Sequence, residues 1–296
     1  MKQEDMSLSR PTGRLSIWHA AIRPRTLSLA VTPVIAGTWL AGLEVTHMAW
    51  DAFVVALIVA SLIQIGTNLH NDAADFERGG DQPDRLGPVR VTAAGWLSAE
   101  DVHKAARLSF ALAILGGGYL VWLYGWPIAL LGLASLIAGY LYSGGPKPIS
   151  YTPLGEVFVF LFFGLVAFVG SYYLQTRSVS DGAMILGAVF GLQAAAVLMV
   201  NNYRDFDADR AVGRRTLAIC AGRPLSRFIY ALLMLAPFAL LLPLQMYVPL
   251  LGLPVAFYLI VRFWLEQPGE KFNILLGRTA QMQVLFAALL CTGFYL

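Results

Sequence analysis

Nine stretches of this chain are long and apolar enough to cross a lipid bilayer, and they constrain its architecture before any single residue is weighed. A spanning helix needs about 20 mostly apolar residues. The stretches lie near 25–43, 51–72, 104–124, 126–143, 154–175, 182–203, 227–246, 248–265 and 272–296. Lipid offers backbone amides no partner, so each stretch must be a helix that satisfies its own hydrogen bonds. The expectation is an all-α integral membrane protein with nine transmembrane helices in a bundle. Very short connections at "YGWP" (Tyr124–Pro127) and "QMYVP" (Gln245–Pro249) make two neighbouring pairs antiparallel hairpins. Charged residues are 13% of the chain, about half the share in soluble domains. That excludes soluble classes, and no nucleic-acid partner is expected.

Basic residues fix an orientation. The opening "MKQEDMSLSRPTGR" is polar and has no apolar core with a cleavage site, so it is expected to stay in the cytoplasm. With nine spans, every Lys and Arg between Arg78 and Arg278 except Arg177 then falls in a cytoplasmic loop. This is the positive-inside pattern. It predicts an inner (cytoplasmic) membrane protein, multi-pass, with its N-terminus cytoplasmic and its C-terminus on the opposite side. Residues 1–24 read as a cytoplasmic tail and interfacial helix, the latter carried by "LSIWHAAIRPRT". Residues 25–296 read as a single polytopic domain. Cys220 and Cys291 fall near opposite faces and are packing residues rather than a disulfide.

Acids cluster where helices leave the lipid. The second stretch ends in "NLHNDAADF" and the sixth in "VNNYRDFDADR". Asn71 and Asp75 are four apart, as are Asn201, Asp205 and Asp209, so each set projects from one side of a helix. Similar sequence follows both: "RLGPVRVTAAGWLS" and "RAVGRRTLAICAGRPLS". Asn71 and Asn201 stand 130 residues apart, which reads as two pseudo-repeated halves with one acidic site each. Carboxylate and amide oxygens bind hard cations such as Mg²⁺. Lys147, in "YSGGPKPISY", Arg214 and Arg215, and Arg85 and Arg90 supply positive charge on the same face. Acids and bases together suit a magnesium-bound diphosphate. The competing reading of each arginine is simple positive-inside topology. A transporter or lipid-binding protein is the alternative class, disfavoured because the span centres carry essentially no acids.

The segments "NDAADFERGGD", "YSGGPKPISYTPLGE" and "NNYRDFDADRAVGRRTL", with "RPRTLSLAVTPVIAG" in the first span, resemble UbiA-type intramembrane prenyltransferases. Within that superfamily the Gly-Gly-Pro-Lys-Pro loop, "DRLGPVR" and "NNYRD" look most like 1,4-dihydroxy-2-naphthoate prenyltransferases of menaquinone synthesis. The resemblance implies a bundle around a central lipid-open cavity, capped by cytoplasmic loops over two metal-binding motifs. It implies Asn71, Asp72 and Asp75 as the first motif and Asn201, Asp205 and Asp209 as the second. Many relatives carry a further Asp where this chain has Gly79. Asp81 is the nearest substitute, brought back by a helix break at Gly79-Gly80.

The implied reaction moves a polyprenyl group from its diphosphate to an aromatic acceptor. Mg²⁺ held by the motifs, with Lys147 and Arg214, stabilises the leaving diphosphate. Dihydroxynaphthoate is the expected acceptor, attacked at the carboxyl-bearing carbon with loss of carbon dioxide; 4-hydroxybenzoate, homogentisate and a tetrapyrrole are alternatives. Arg25 or Lys147 is the candidate for the acceptor carboxylate. Tyr140, Tyr142, Phe162 and Phe163 are candidate cavity walls, with core packing the competing role. Gln64 and Asn68, one and two turns before Asp72, either line the cavity or hydrogen-bond another helix. Glu156 is a helix cap or a group that positions Lys147 or the acceptor. The histidines lack metal-ligand spacing, and Ser98 with Asp101 marks a helix start. Neither prenyl length nor oligomeric state has a signature in the chain.

Overall fold

The structure, a computed structural model, describes residues 13–80 and 86–294. Asp81 and Arg85, both expected near the site, lie outside the described residues. Among those described there is no strand. Helix α1 (Arg14–Ile22) covers the segment expected at the interface. Arg23 then takes left-handed backbone angles (φ 56°, ψ 66°), and α2 (Pro24–Ala41) starts with Pro24, whose missing amide costs nothing in a first turn. Next come α3 (Trp50–Glu77), α4 (Ala99–Tyr124) and α5 (Trp126–Leu141). The Ser98 hydroxyl caps α4 by accepting from Asp101 N at 3.1 Å, as its spacing predicts. Then follow α6 (Gly155–Thr176), α7 (Asp181–Arg204) and the short α8 (Phe206–Ala211). The chain closes with α9 (Leu217–Leu241), α10 (Leu253–Leu265) and α11 (Lys271–Gly293).

Each of the nine apolar stretches has its helix, but among the described residues only 7 are long and apolar enough to cross a membrane. The exceptions have physical reasons. Helix α5 has 16 residues, and α2 is diluted by Arg25, Thr26, Ser28, Thr32, Pro33 and Thr38. Elsewhere most polar side chains within the helices, such as Gln64, Gln193 and Gln283, are buried, and the outer surface is largely apolar: Leu115, Trp122, Trp126, Leu251 and Leu265 are all exposed. Water would make such a surface aggregate; lipid does not. The protein is a multi-pass helical membrane protein.

Helix α7 is the axis of the bundle, with 72% of its apolar window buried. Its glycines make that possible. A Cβ at Gly191 would sit 2.5 Å from the Phe160 carbonyl oxygen of α6, and one at Gly164 of α6 would strike Gly191 and Gly187. Small residues let these backbones touch, which substitutes for the hydrophobic drive that lipid removes. Both contacts fall within a stretch of α6 that widens into a π-helix, Phe160–Val169. At one end of the bundle, α3 and α7 terminate together, beside the segments 86–98, 142–154 and 205–216.

Candidate active site

The two acidic motifs, remote in sequence, meet at that end. Asn71 from α3 and Asn201, Asp205 and Asp209 from α7 and α8 line one cleft of about 80 Å³. That is room for several waters or a small hydrated anion, and too little for an isoprenoid tail. Arg23, Arg90 and Arg214 line it with them, as do Tyr142 and Asn202.

Arg214 joins the motifs. Its guanidinium donates to Asp75 Oδ2 at 2.7 Å and lies 3.2 Å from Asp209 Oδ1. It is aimed there by backbone. Gly213, at φ 78°, turns the chain so that Arg214 N donates to the Asp209 carbonyl at 2.9 Å and Arg215 N to the Tyr151 carbonyl at 3.0 Å. The guanidinium then stacks over the Tyr151 ring, 4.6 Å from its centroid. Gly80 leaves space for this, since a Cβ there would meet Tyr151 Oη at 2.9 Å and Arg214 at 3.4 Å. Burial disfavours the Arg214 charge, but Asp75 and Asp209 outweigh it and raise the side chain's pKa above its ordinary value.

The other acids are engaged too. Asp75 takes a second guanidinium, Arg90, at 2.7 Å, and Arg90 also donates to the Asn71 carbonyl at 2.7 Å. Asp205 is held in a fork by Arg204 (2.8 and 2.6 Å), whose remaining donors reach Asn201 Oδ1 and Asn273 Oδ1, each at 2.8 Å. Asp72 faces elsewhere. It is fully buried and accepts from Val91 N at 3.2 Å, from Thr92 N at 3.0 Å and from the Thr92 hydroxyl, with Arg23 3.5 Å away. This geometry pins the 90–92 segment to α3, and so sets Arg90 against Asp75.

Among the described residues no three acidic, His or Cys side chains are grouped as a metal site, and Asp75, Asp205 and Asp209 lie against guanidinium groups. Within the two motifs, Asn71 Oδ1 and Asp75 Oδ1 are buried and accept no hydrogen bond. Amide and carboxylate oxygens are the donors a hard divalent cation takes, so the residues fit such an ion.

Other expected residues are placed differently. Lys147 is exposed on its loop and Arg25 is exposed on the first turn of α2; neither lines the cleft. Arg215 is exposed, and its backbone amide bonds to Tyr151. Gln64 donates to Asn68 Oδ1 (3.0 Å), and Asn68 donates to the Ile22 carbonyl and Thr26 Oγ1, both at 2.9 Å. Asn68 thus bonds to another helix, while Gln64 supports it from within α3. Tyr140 stacks on His70 (4.7 Å) and Phe162 on Phe158 (6.0 Å), outside the cleft; Tyr142 does line it. Glu156 is buried and accepts from Asn202 Nδ2 at 2.9 Å. Arg23, Tyr151, Asn202, Arg204 and Asn273 were not foreseen. Asn202, beside the foreseen Asn201, was the one with a signal, in the repeated amides of "VNNYRD".

A helical membrane bundle that gathers acids, amides and guanidinium groups at one end defines a class, membrane proteins suited to an anionic headgroup at the edge of the lipid. The sequence model of the UbiA prenyltransferase family matches residues 30–294, and the chain belongs to that family, an enzyme of the prenyltransferase class. A 1,4-dihydroxy-2-naphthoate octaprenyltransferase of Escherichia coli (strain K12) is 36% identical over 228 residues, 75% of this chain and 74% of that one. One of the same name from Mycobacterium tuberculosis (strain ATCC 25618 / H37Rv) is 38% identical over 214 residues, 72% of each. In fold the chain resembles a UbiA homolog from Archaeoglobus fulgidus solved with GPP and Mg²⁺. The TM-score is 0.70 at 16% identity, over 95% of this chain and 100% of that one.

Proposed function

We propose that the protein transfers a polyprenyl group from its diphosphate to 1,4-dihydroxy-2-naphthoate, with loss of carbon dioxide, to give demethylmenaquinol, the hydroquinone form of demethylmenaquinone. The observation that carries this is Arg214, shared by Asp75 of the first motif and Asp209 of the second in one cleft. The names of the relatives support the acceptor, and the ligands of the structural neighbour support an isoprenoid diphosphate with Mg²⁺.

In this reading Asn71, Asp75, Asn201, Asp205 and Asp209 would hold Mg²⁺, whose charge would neutralise that growing on the leaving diphosphate. Arg90 and Arg214 bind the diphosphate oxygens by charge-assisted hydrogen bonds, releasing the carboxylates they hold in the resting state. Asp72 acts through Arg90 as a positioning residue. The allylic carbon–oxygen bond breaks with its electron pair leaving on the diphosphate, and the ring carbon bonds to the allylic carbon. Lys147 reaches the phosphates only if its loop closes over the cleft. The tail runs among the apolar helices, where it stays out of water.

We place the cleft at the cytoplasmic face of the inner membrane. Residues 25–296 form one domain of nine spans arising from two related halves, and α1 lies in the interface. Pyrophosphate release by detergent-purified protein given a prenyl diphosphate, Mg²⁺ and dihydroxynaphthoate tests the reading, with Asp75→Ala and Asp205→Ala alongside. Acceptor-dependent release that both substitutions abolish is expected. Preferred turnover of 4-hydroxybenzoate would overturn the acceptor, and bound diphosphate with no release under any aromatic would overturn the reaction.

A further inference from the structure

Glu156 is a buried acid that the mechanism above leaves without work. It sits in the first turn of α6 and is 4% exposed. Oε1 accepts from Asn202 Nδ2 at 2.9 Å; Oε2 is enclosed and has no hydrogen-bond partner. Of the buried acids among the described residues, Asp72, Asp75, Asp205 and Asp209 each lie beside a guanidinium, whereas Glu156 has no cation within ion-pair distance. A carboxylate used only to tie helices together would be expected to fill both oxygens. Its surroundings belong to the cleft: its neighbour Gly155, its partner Asn202, and Tyr142 all line it. Asn202 lines the cleft beside Asn201 of the second motif, and Glu156 stands directly behind it, one hydrogen bond from the cleft wall.

We propose that Glu156 takes the hydroxyl proton of the aromatic acceptor, with Asn202 holding the carboxylate in register. The inference rests on the prenyl-transfer reading and adds the group that activates its nucleophile. The step balances without a further reactant. As the ring carbon bonds to the allylic carbon and the diphosphate leaves with the carbon–oxygen pair, the acceptor's O–H bond breaks. The proton passes to Glu156 Oε2, and the O–H electron pair forms a ring carbonyl. Departure of the carboxylate as carbon dioxide returns an electron pair to the ring. The oxygen then recovers its proton from Glu156, which ends as it began. General bases contribute about 10²- to 10⁴-fold.

The test compares Glu156→Gln and Glu156→Asp with the unaltered protein in detergent. It measures prenyl thiolodiphosphate binding with Mg²⁺, and acceptor-dependent pyrophosphate release from pH 5 to 9. Gln keeps the Asn202 contact and the volume but takes no proton. Glu156→Gln is expected to bind the diphosphate within about threefold of the unaltered protein and to turn over at least 100-fold more slowly. Its rate should climb with pH as the acceptor ionises unaided, and a more acidic fluorinated acceptor should restore much of it, while Glu156→Asp keeps part of the activity. Release within about threefold of the unaltered protein with the same pH profile would overturn the inference and leave prenyl transfer standing. So would loss of diphosphate binding in step with turnover, which marks a structural role. No release by the unaltered protein with any aromatic would overturn the underlying reading itself.

Discussion

Replacing Arg214 with alanine should strengthen metal binding and weaken diphosphate binding, two effects that a purely structural arginine would not produce together. The guanidinium touches Asp75 at 2.7 Å and Asp209 at 3.2 Å and is only 12% exposed, so it holds the charge that a metal ion would otherwise supply. A unit charge about 4 Å from a carboxylate contributes about 4 kcal/mol at an effective dielectric of about 20. Arg90 remains on Asp75 after the substitution, and water enters the vacated space. A net gain of about 1–2 kcal/mol is left for the incoming cation, or roughly 5- to 30-fold tighter binding. In the other direction, a lost charge-assisted hydrogen bond to phosphate costs about 1.5–3 kcal/mol, on the order of 10- to 100-fold in affinity. Free Mn²⁺, followed by electron paramagnetic resonance, reads the metal side with and without a prenyl thiolodiphosphate. In the unaltered protein each ligand should raise the other's affinity by one common factor. In Arg214→Ala, Mn²⁺ alone binds more tightly and that factor shrinks. Unchanged or weaker Mn²⁺ binding without diphosphate would refute the exchange of guanidinium for metal.

Other substitutions separate structural from chemical roles. Arg204→Gln strips Asp205 of its buried partner and should destabilise the protein by about 3–5 kcal/mol; the double change Arg204→Met with Asp205→Leu should recover most of the unfolding temperature in detergent. Asp72→Asn should cost about 1–3 kcal/mol of stability by breaking the clamp on Val91 and Thr92. It should also loosen diphosphate binding through Arg90, while Mn²⁺ affinity stays within threefold. Gly191→Leu should force α6 and α7 apart, at about 1–3 kcal/mol or more from overpacking, visible as an earlier melt or loss of monodispersity on size exclusion. Lys147→Ala should reduce diphosphate affinity less than Arg214→Ala does, because Lys147 stands outside the cleft; a larger loss would mean that its loop closes over the substrate.

The helices were legible because lipid leaves a chain few choices. Apolar runs near the length of the hydrocarbon layer predicted every long helix, and the failures at α2 and α5 are of degree. The acidic ends were legible because amides and acids four apart must share a helix face. What those acids touch was not. Asp72 and Asp75 are three residues apart on α3, yet one clamps a loop and the other takes two arginines, a difference set by where residues 90–92 and 214 return in space. Arg23 was missed in favour of Arg25 because a left-handed residue between two helices turns its side chain to a direction that no helical spacing foretells. Asn273 lies 69 residues beyond Arg204 in the chain, and contact at that separation leaves no local pattern.

The widened stretch of α6 works as a phase adjuster. A regular helix advances about 100° per residue, which ties the heading of every side chain to its position in the sequence. Glu156 must meet Asn202 at the cleft, while Gly164, two turns deeper, must meet the spine of α7. Phe160–Val169 relaxes the winding between them and lets both headings be met on one rod. Removing a single residue from that stretch would swing one end against the other by about 100°. The cleft and the glycine crossing would then compete for the same helix, with sequence composition almost unchanged.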